Sequence, residues 1–229
     1  MNLKKTVRKI AGRNEFYIAL VFIALCLVIQ VRSGQFFTPN NIVDLLSAMV
    51  VPGIFAIGEF MVIVSGGFDV SFPALASLTG FATTKMLLDA GWSGGIWLPI
   101  LITIVIGALL GAFNGLFIGY FELPAMIVTL GTSSVFKGFM QGTLASKQLA
   151  VIPTCMKNFG TSALFIAKNQ QSGLTSRMPT TFLVLIAVII ISYILLNRTM
   201  FGRGIYAIGG NEVSAHRAGF NVKRTRFIM

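Results

Sequence analysis

From Thr181 to Leu196 the chain reads TFLVLIAVIIISYILL, a run without one charged side chain. Such a run admits few folds. In water, every face of it would need a protein shell. In a bilayer, the backbone needs only hydrogen bonds within a helix or a closed barrel. Crossing the hydrocarbon core as a helix takes roughly 20 apolar residues. Composition decides between the two settings. Only 11% of the 229 residues are charged, against about 25% in soluble domains. Hydrophobic residues make up 55%, and mean hydropathy is +0.83. A chain this poor in charge cannot keep its surface in water, so it is an integral membrane protein. Unbroken apolar stretches such as Ile96 to Gly107 lack the alternation of a barrel strand. The expected fold class is all-α and polytopic.

The formal net charge is +11, and its distribution points away from nucleic acid. Lys4, Lys5, Arg8, Lys9 and Arg13 precede the first apolar run. Arg198, Arg203, Arg217, Lys223, Arg224 and Arg226 follow the last complete one. Cytoplasmic flanks carry this excess under the positive-inside rule. No small-residue cleavage site follows the first run, so it reads as a span rather than a signal peptide. Cys26 and Cys155 lack the spacing of a disulfide framework or a zinc site, and no metal site is expected.

About six spans follow, at 16–31, 42–64, 72–88, 96–120, 124–144 and 180–196. A basic cytoplasmic N-terminus covers 1–15, and an external loop covers 145–178. A polar cytoplasmic segment covers 197–226, and 227–229 is the expected start of a seventh, truncated span. The external loop carries Lys147, Lys157, Lys168 and Arg177 and no acidic residue. It is either a docking face for an acidic partner or an ordinary solvated loop.

Three features stand out. Gly107, Gly111, Gly115 and Gly119 recur every four residues, which puts them on one helix face and predicts close helix packing. The stretch SGGFDVS, Ser65 to Ser71, interrupts the apolar pattern, and Pro73 suits the first turn of the next helix. Asp69 or Ser71 is the expected cap. The break is a gating element of a path, a cap in a tight turn, or both. Intramembrane ionisable residues are functional candidates, so Glu59 and Lys137 are candidates, and a possible pair. The hydroxyls of Thr129, Thr132, Ser133 and Ser134 either line a polar path or bond helix carbonyls.

The third feature is the polar island FGRGIYAIGGNEVSAHRAGF, Phe201 to Phe220. Gly209 and Gly210 are expected to turn the chain, Asn211 to cap a short helix with Glu212 in its first turn, and Gly219 to end it. Tyr206, Ala207, Ile208, Gly209, Gly210, Asn211 and Gly219 resemble the coupling loop of ABC-importer permeases of the ribose/galactose/xylose class. SGGFDVS resembles that family's Ser-Gly-Gly-Ile-Asp-Leu-Ser element, and Pro124 to Thr132 resembles its Pro-Phe-Ile-Val-Thr-Leu-Gly-Thr element. Two departures are clear. The family continues Val-Gly where this chain has Phe72-Pro73, and His216 replaces its usual arginine.

The resemblance implies a non-enzymatic transport subunit in the bacterial inner membrane. No stretch matches the phosphate-binding GxxxxGK[ST] loop, so ATP would act on a partner chain, with no cofactor and no catalytic residue here. The resemblance further implies an ATPase subunit, a second permease chain and an extracytoplasmic substrate-binding protein as partners, within a lipid bilayer. It assigns ATPase coupling to Gly209, Gly210, Asn211, Glu212, Ala215, His216, Arg217 and Gly219. It assigns the translocation path or gate to Gly66, Gly67, Asp69, Ser71, Thr129 and Thr132. Family members continue through further spans, which makes a truncated product the expectation. Two other readings remain open: an ion-coupled secondary transporter using Asp69, Glu59 and Lys137, and a non-transporting permease fragment.

Overall fold

The computed structural model describes residues 14–143, 149, 151–169 and 173–229. Most of the basic N-terminal segment, Lys4 to Arg13, and Lys147 of the external loop lie outside the described residues. The chain divides into two compact units, 1–48 with 163–178, and 49–162 with 179–229.

The first unit contains helices α1 (Asn14–Ser33) and α2 (Pro39–Ala48). α1 buries no residue, as its apolar surface all round would suit lipid. Strands β1 (Ala163–Lys168) and β2 (Thr175–Pro179) pair as a two-stranded hairpin. It packs on α2, where Ser176 donates to Asp44 Oδ2 at 2.7 Å and Ser47 to the Arg177 carbonyl at 3.3 Å. This hairpin departs from the all-helical expectation. Open strand edges are unsatisfied in hydrocarbon but not in water, and this hairpin falls in the segment read as an external loop. The basic residues Lys157, Lys168 and Arg177 of that segment are exposed.

The second unit contains α3 (Val50–Val64), α4 (Phe72–Asp89), α5 (Trp97–Gly115) and a π-helical turn (Leu116–Tyr120). It continues with α6 (Ala125–Thr143), α7 (Thr154–Thr161) and α8 (Thr181–Arg198). Three short helices close it: α9 (Met200–Gly210), α10 (Glu212–Arg217) and α11 (Val222–Ile228). The stretch expected as one span at 42–64 is therefore two helices, parted at Met49. Pro52, which cannot donate a backbone hydrogen bond, falls in the first turn of α3, where none is required.

α4 packs against both α5 and α6, and α3 against α8. Ala74, Leu78 and Phe136 form the apolar core between α4 and α6. Around them the interior is unusually polar. Thr79, Thr83, Thr84, Asn114, Thr129, Thr132 and Ser133 are buried, while Leu109, Ile127 and Ile191 are more than 60% exposed. A water-soluble fold places these classes the other way round. Hydroxyls satisfy themselves locally, as Thr83 does with Thr103 across α4 and α5 at 3.1 Å. Among the described residues, three helices are long and apolar enough to cross a membrane: Asn14–Ser33, Trp97–Tyr120 and Thr181–Arg198.

Candidate functional site

The polar island folds as a small lobe whose turns follow from single residues. Thr199, in extended conformation, ends α8 and caps α9 by accepting from the Gly202 amide at 3.0 Å. Gly209 and Gly210 were expected as the turn. They are instead the last residues of α9, and the chain turns at Asn211, which is extended. Asn211 Oδ1 accepts from the Ser214 amide at 2.8 Å and caps α10. At the other end Gly219 adopts φ +89°. Its amide bonds the His216 carbonyl at 3.0 Å, and the Phe220 amide bonds that of Ala215 at 3.1 Å. This is the Schellman arrangement, for which a left-handed glycine is the natural closing residue. Asn221 then caps α11, accepting from the Arg224 amide at 2.9 Å.

Ile208, Ala215 and Val222, one from each short helix, form the lobe's apolar centre, with Ala207 and Phe220 against it. Ala215 is thus a core residue. Glu212, Val213, Ser214, His216 and Arg217 project outward from α10.

Glycines seat the lobe on the long helices. A Cβ on Gly209 would overlap the Val64 carbonyl oxygen, so α9 rests directly on the end of α3. A Cβ on Gly66, at φ +85°, would lie 3.7 Å from Gly209 Cα. Gly202 meets the carbonyls of Leu195 and Leu196 in the same backbone-to-backbone way. The four-spaced glycines divide. Gly115 and Gly119 pack on α11, where added Cβ atoms would meet Phe227 O at 2.6 Å and Lys223 O at 2.8 Å. Gly107 faces Thr79 at 3.8 Å, and Gly111 has nothing within 4 Å.

Two ion pairs flank this seat. Arg226 grips Glu212 with both guanidinium nitrogens, at 2.8 and 3.0 Å. Lys223 Nζ lies 2.8 Å from Glu122 Oε1. That hydrogen bond, and then the charge of Lys223, hold the exposed Glu122 carboxyl below its ordinary pKa. Glu122 itself has φ +56°, the left-handed region that residues with a Cβ seldom occupy.

The broken segment between α3 and α4 is tied from several sides. The Glu59 carboxylate accepts from the Asp69 amide at 3.2 and 3.3 Å. Thr129 Oγ1, wholly buried, accepts from the Val70 amide at 3.2 Å. Asp69 Oδ1 accepts from the Ser71 amide at 2.6 Å. Ser71 makes no side-chain cap bond. Its hydroxyl accepts instead from Asn114 Nδ2 at 2.9 Å. Thr132 donates to the Thr129 carbonyl at 3.4 Å. Four helices thus converge on SGGFDVS, and Gly66, Gly67 and Asp69 border a cavity of about 490 Å³ shared with Glu212 and Arg226. Lys137 is exposed on α6, and the ion pairs formed among the described residues do not join it to Glu59. Among the described residues, no group of three His, Cys, Asp or Glu side chains could hold a metal.

Sequence reasoning missed Asn114, Gly202 and both ion pairs. Asn114 did carry a signal, an amide side chain inside a helix of hydrocarbon and glycine. Lys223 and Arg226 read only as a basic flank.

Known proteins share this chain's pattern. The family model described as branched-chain amino acid transport system / permease component matches residues 41–229. The D-allose transport system permease protein of Escherichia coli K12 is 31% identical, over 92% of this chain and 60% of that protein. The autoinducer 2 import system permease protein of Yersinia enterocolitica is 28% identical, over 95% and 56%. The xylose transport system permease protein of E. coli K12 is 27% identical, over 90% and 66%. The chain therefore spans between 56% and 66% of the length of these curated relatives. No solved structure matches. Helices that can cross a bilayer, an interior lined with hydroxyls and a match over most of its length make this chain a polytopic membrane protein that belongs to the family of the branched-chain amino acid transport system permease component.

Proposed function

We propose that the chain is the permease subunit of an ABC importer for a sugar or a similar neutral, hydroxyl-rich solute, in the bacterial inner membrane. It makes no bond in its solute. A separate ATPase docks on the outward residues of α10, a second permease chain completes the path, and an extracytoplasmic binding protein delivers the solute. With six crossings from a cytoplasmic N-terminus, the lobe lies on the ATPase side.

The observation that carries this reading is the seat of Gly209 on the Val64 carbonyl. A push on α10 reaches α9, and α9 touches the chain where α3 breaks into SGGFDVS. Steric contact of backbone on backbone is stiff, since interiors are close-packed. Movement there shifts Ser65 to Ser71, and with them the ends of α4 and α6 held by Asn114 and Thr129. ATP closure is thereby turned into opening of one side of the path.

The names of the relatives support the solute class, and the neutral interior accords with it. The buried polar residues of α4 to α6 are neutral: Thr79, Thr83, Asn114, Thr129, Thr132 and Ser133. Allose, xylose and autoinducer 2 are named for the relatives.

The test is uptake by proteoliposomes holding the chain, its ATPase and its binding protein. ATP-dependent uptake of a labelled pentose or hexose is expected. Uptake of leucine in preference to any sugar would overturn the solute class. Uptake that ignores ATP but collapses with the ion gradient would overturn the mechanism.

A further inference from the structure

Helix α11 touches both the coupling helix and the membrane core, and each contact has its own cation. Arg226 faces Glu212 on α10 through a two-pronged guanidinium–carboxylate pair. Lys223, one turn earlier, faces Glu122 in the loop joining the π-helical turn to α6. Between these pairs the backbone of α11, with the Phe227 side chain, lies directly on Gly115 and Gly119, and the Phe227 ring meets Tyr120 edge-on at 5.5 Å. π-Helical turns concentrate at functional sites, as do residues held at unfavourable φ. The turn Leu116–Tyr120 and Glu122 at φ +56° provide both.

We infer that α11 is a second drive arm, parallel to the Gly209 seat: Arg226 takes up movement of α10 through Glu212, and Lys223 delivers it through Glu122 to the head of α6. The inference rests on the permease reading above. Its far end is Thr129, one turn into α6, which holds the Val70 amide. The two arms therefore meet on SGGFDVS toward its two ends, Gly209 at Ser65 and Gly66 and Thr129 at Phe68 and Val70. The exposed Lys223–Glu122 pair adds little stability, so energy is not its role. A bidentate arginine fixes orientation, which suits a part that must follow its partner in direction. Lys223, Arg226 and Glu122 are positioning residues, since none of them needs to touch the solute.

The experiment compares solute moved per ATP hydrolysed for wild type, Glu122→Lys, Lys223→Glu and the double exchange E122K/K223E, in the same proteoliposomes. Each single reversal should lower the ratio about fivefold or more, the scale of a typical coupling free energy, with the ATPase still bound. The double exchange should restore it. Single variants with an unchanged ratio, or a double variant as poor as the singles, overturn the drive arm. Wild type without ATP-dependent uptake overturns the permease reading instead. In that event amide hydrogen exchange still decides whether the arm is one mechanical part. Reversal at Lys223 should speed exchange at 212–217 as well as at 116–123, and faster exchange confined to 222–228 would refute it.

Discussion

Gly209 and Val64 meet backbone to backbone, with no room for a side chain between them. A methyl group there must displace α9 or α3. Gly209→Ala should destabilise by about 1–3 kcal/mol, the usual cost of overpacking, and abolish ATP-driven uptake. Gly210→Ala is the control, because nothing lies within 4 Å of its added carbon. Thermal unfolding in detergent and vesicle uptake measure the two effects. Equal behaviour of both variants would remove the seat from the mechanism.

Thr129 is wholly buried and its hydroxyl serves the Val70 amide. Thr129→Val keeps the shape and leaves that amide unpaired, at a cost of about 1–3 kcal/mol. Thr129→Ser keeps the acceptor and should behave nearly as wild type. The order of unfolding temperatures, serine above valine, is the readout.

Glu59 acts as an acceptor toward the Asp69 amide, a task that needs no negative charge. Glu59→Gln should therefore retain ATP-driven uptake, and Glu59→Leu should lose most of it. A glutamine variant as inactive as leucine would instead mark Glu59 as a proton carrier and revive the ion-coupled reading.

The Glu122 carboxyl is held below its ordinary value of 4.5 by Lys223. A carboxyl with a lowered folded pKa favours the folded contact above its ordinary value and releases it as pH falls through the folded one. The α11 contact should thus be constant from pH 7 down to about 5 and loosen only in stronger acid. Amide exchange at 119–123 should show that loosening in wild type. In Glu122→Gln the exchange should be fast at neutral pH and lack the acid step.

Local geometry was legible where one residue type determines it. Asparagine at 211 and glycine at 219 announce a cap and a stop, because each satisfies backbone groups that its neighbours leave open. The broken segment was legible from Gly66, Gly67 and Pro73 by the same logic. Contacts across the chain were not. Gly202 and Gly209 look like loop glycines, and only the approach of α8 and α3 reveals why a Cβ is excluded. Lys223 and Arg226 read as solvated flank because their carboxylate partners lie beyond the one-turn spacing of a helix: Glu212 is 14 positions from Arg226 and Glu122 about a hundred from Lys223. The division of the expected span 42–64 at Met49 also escaped notice, since no glycine or proline stands at the break itself.

Gly115 and Gly119 present α11 with a strip of bare backbone. With no side chain on its own face, that strip lets the α11 backbone and Phe227 come to contact distance, and close contact of this kind leaves no slack. A larger residue at position 119 would wedge the two helices apart, because its Cβ would start 2.8 Å from the Lys223 carbonyl oxygen.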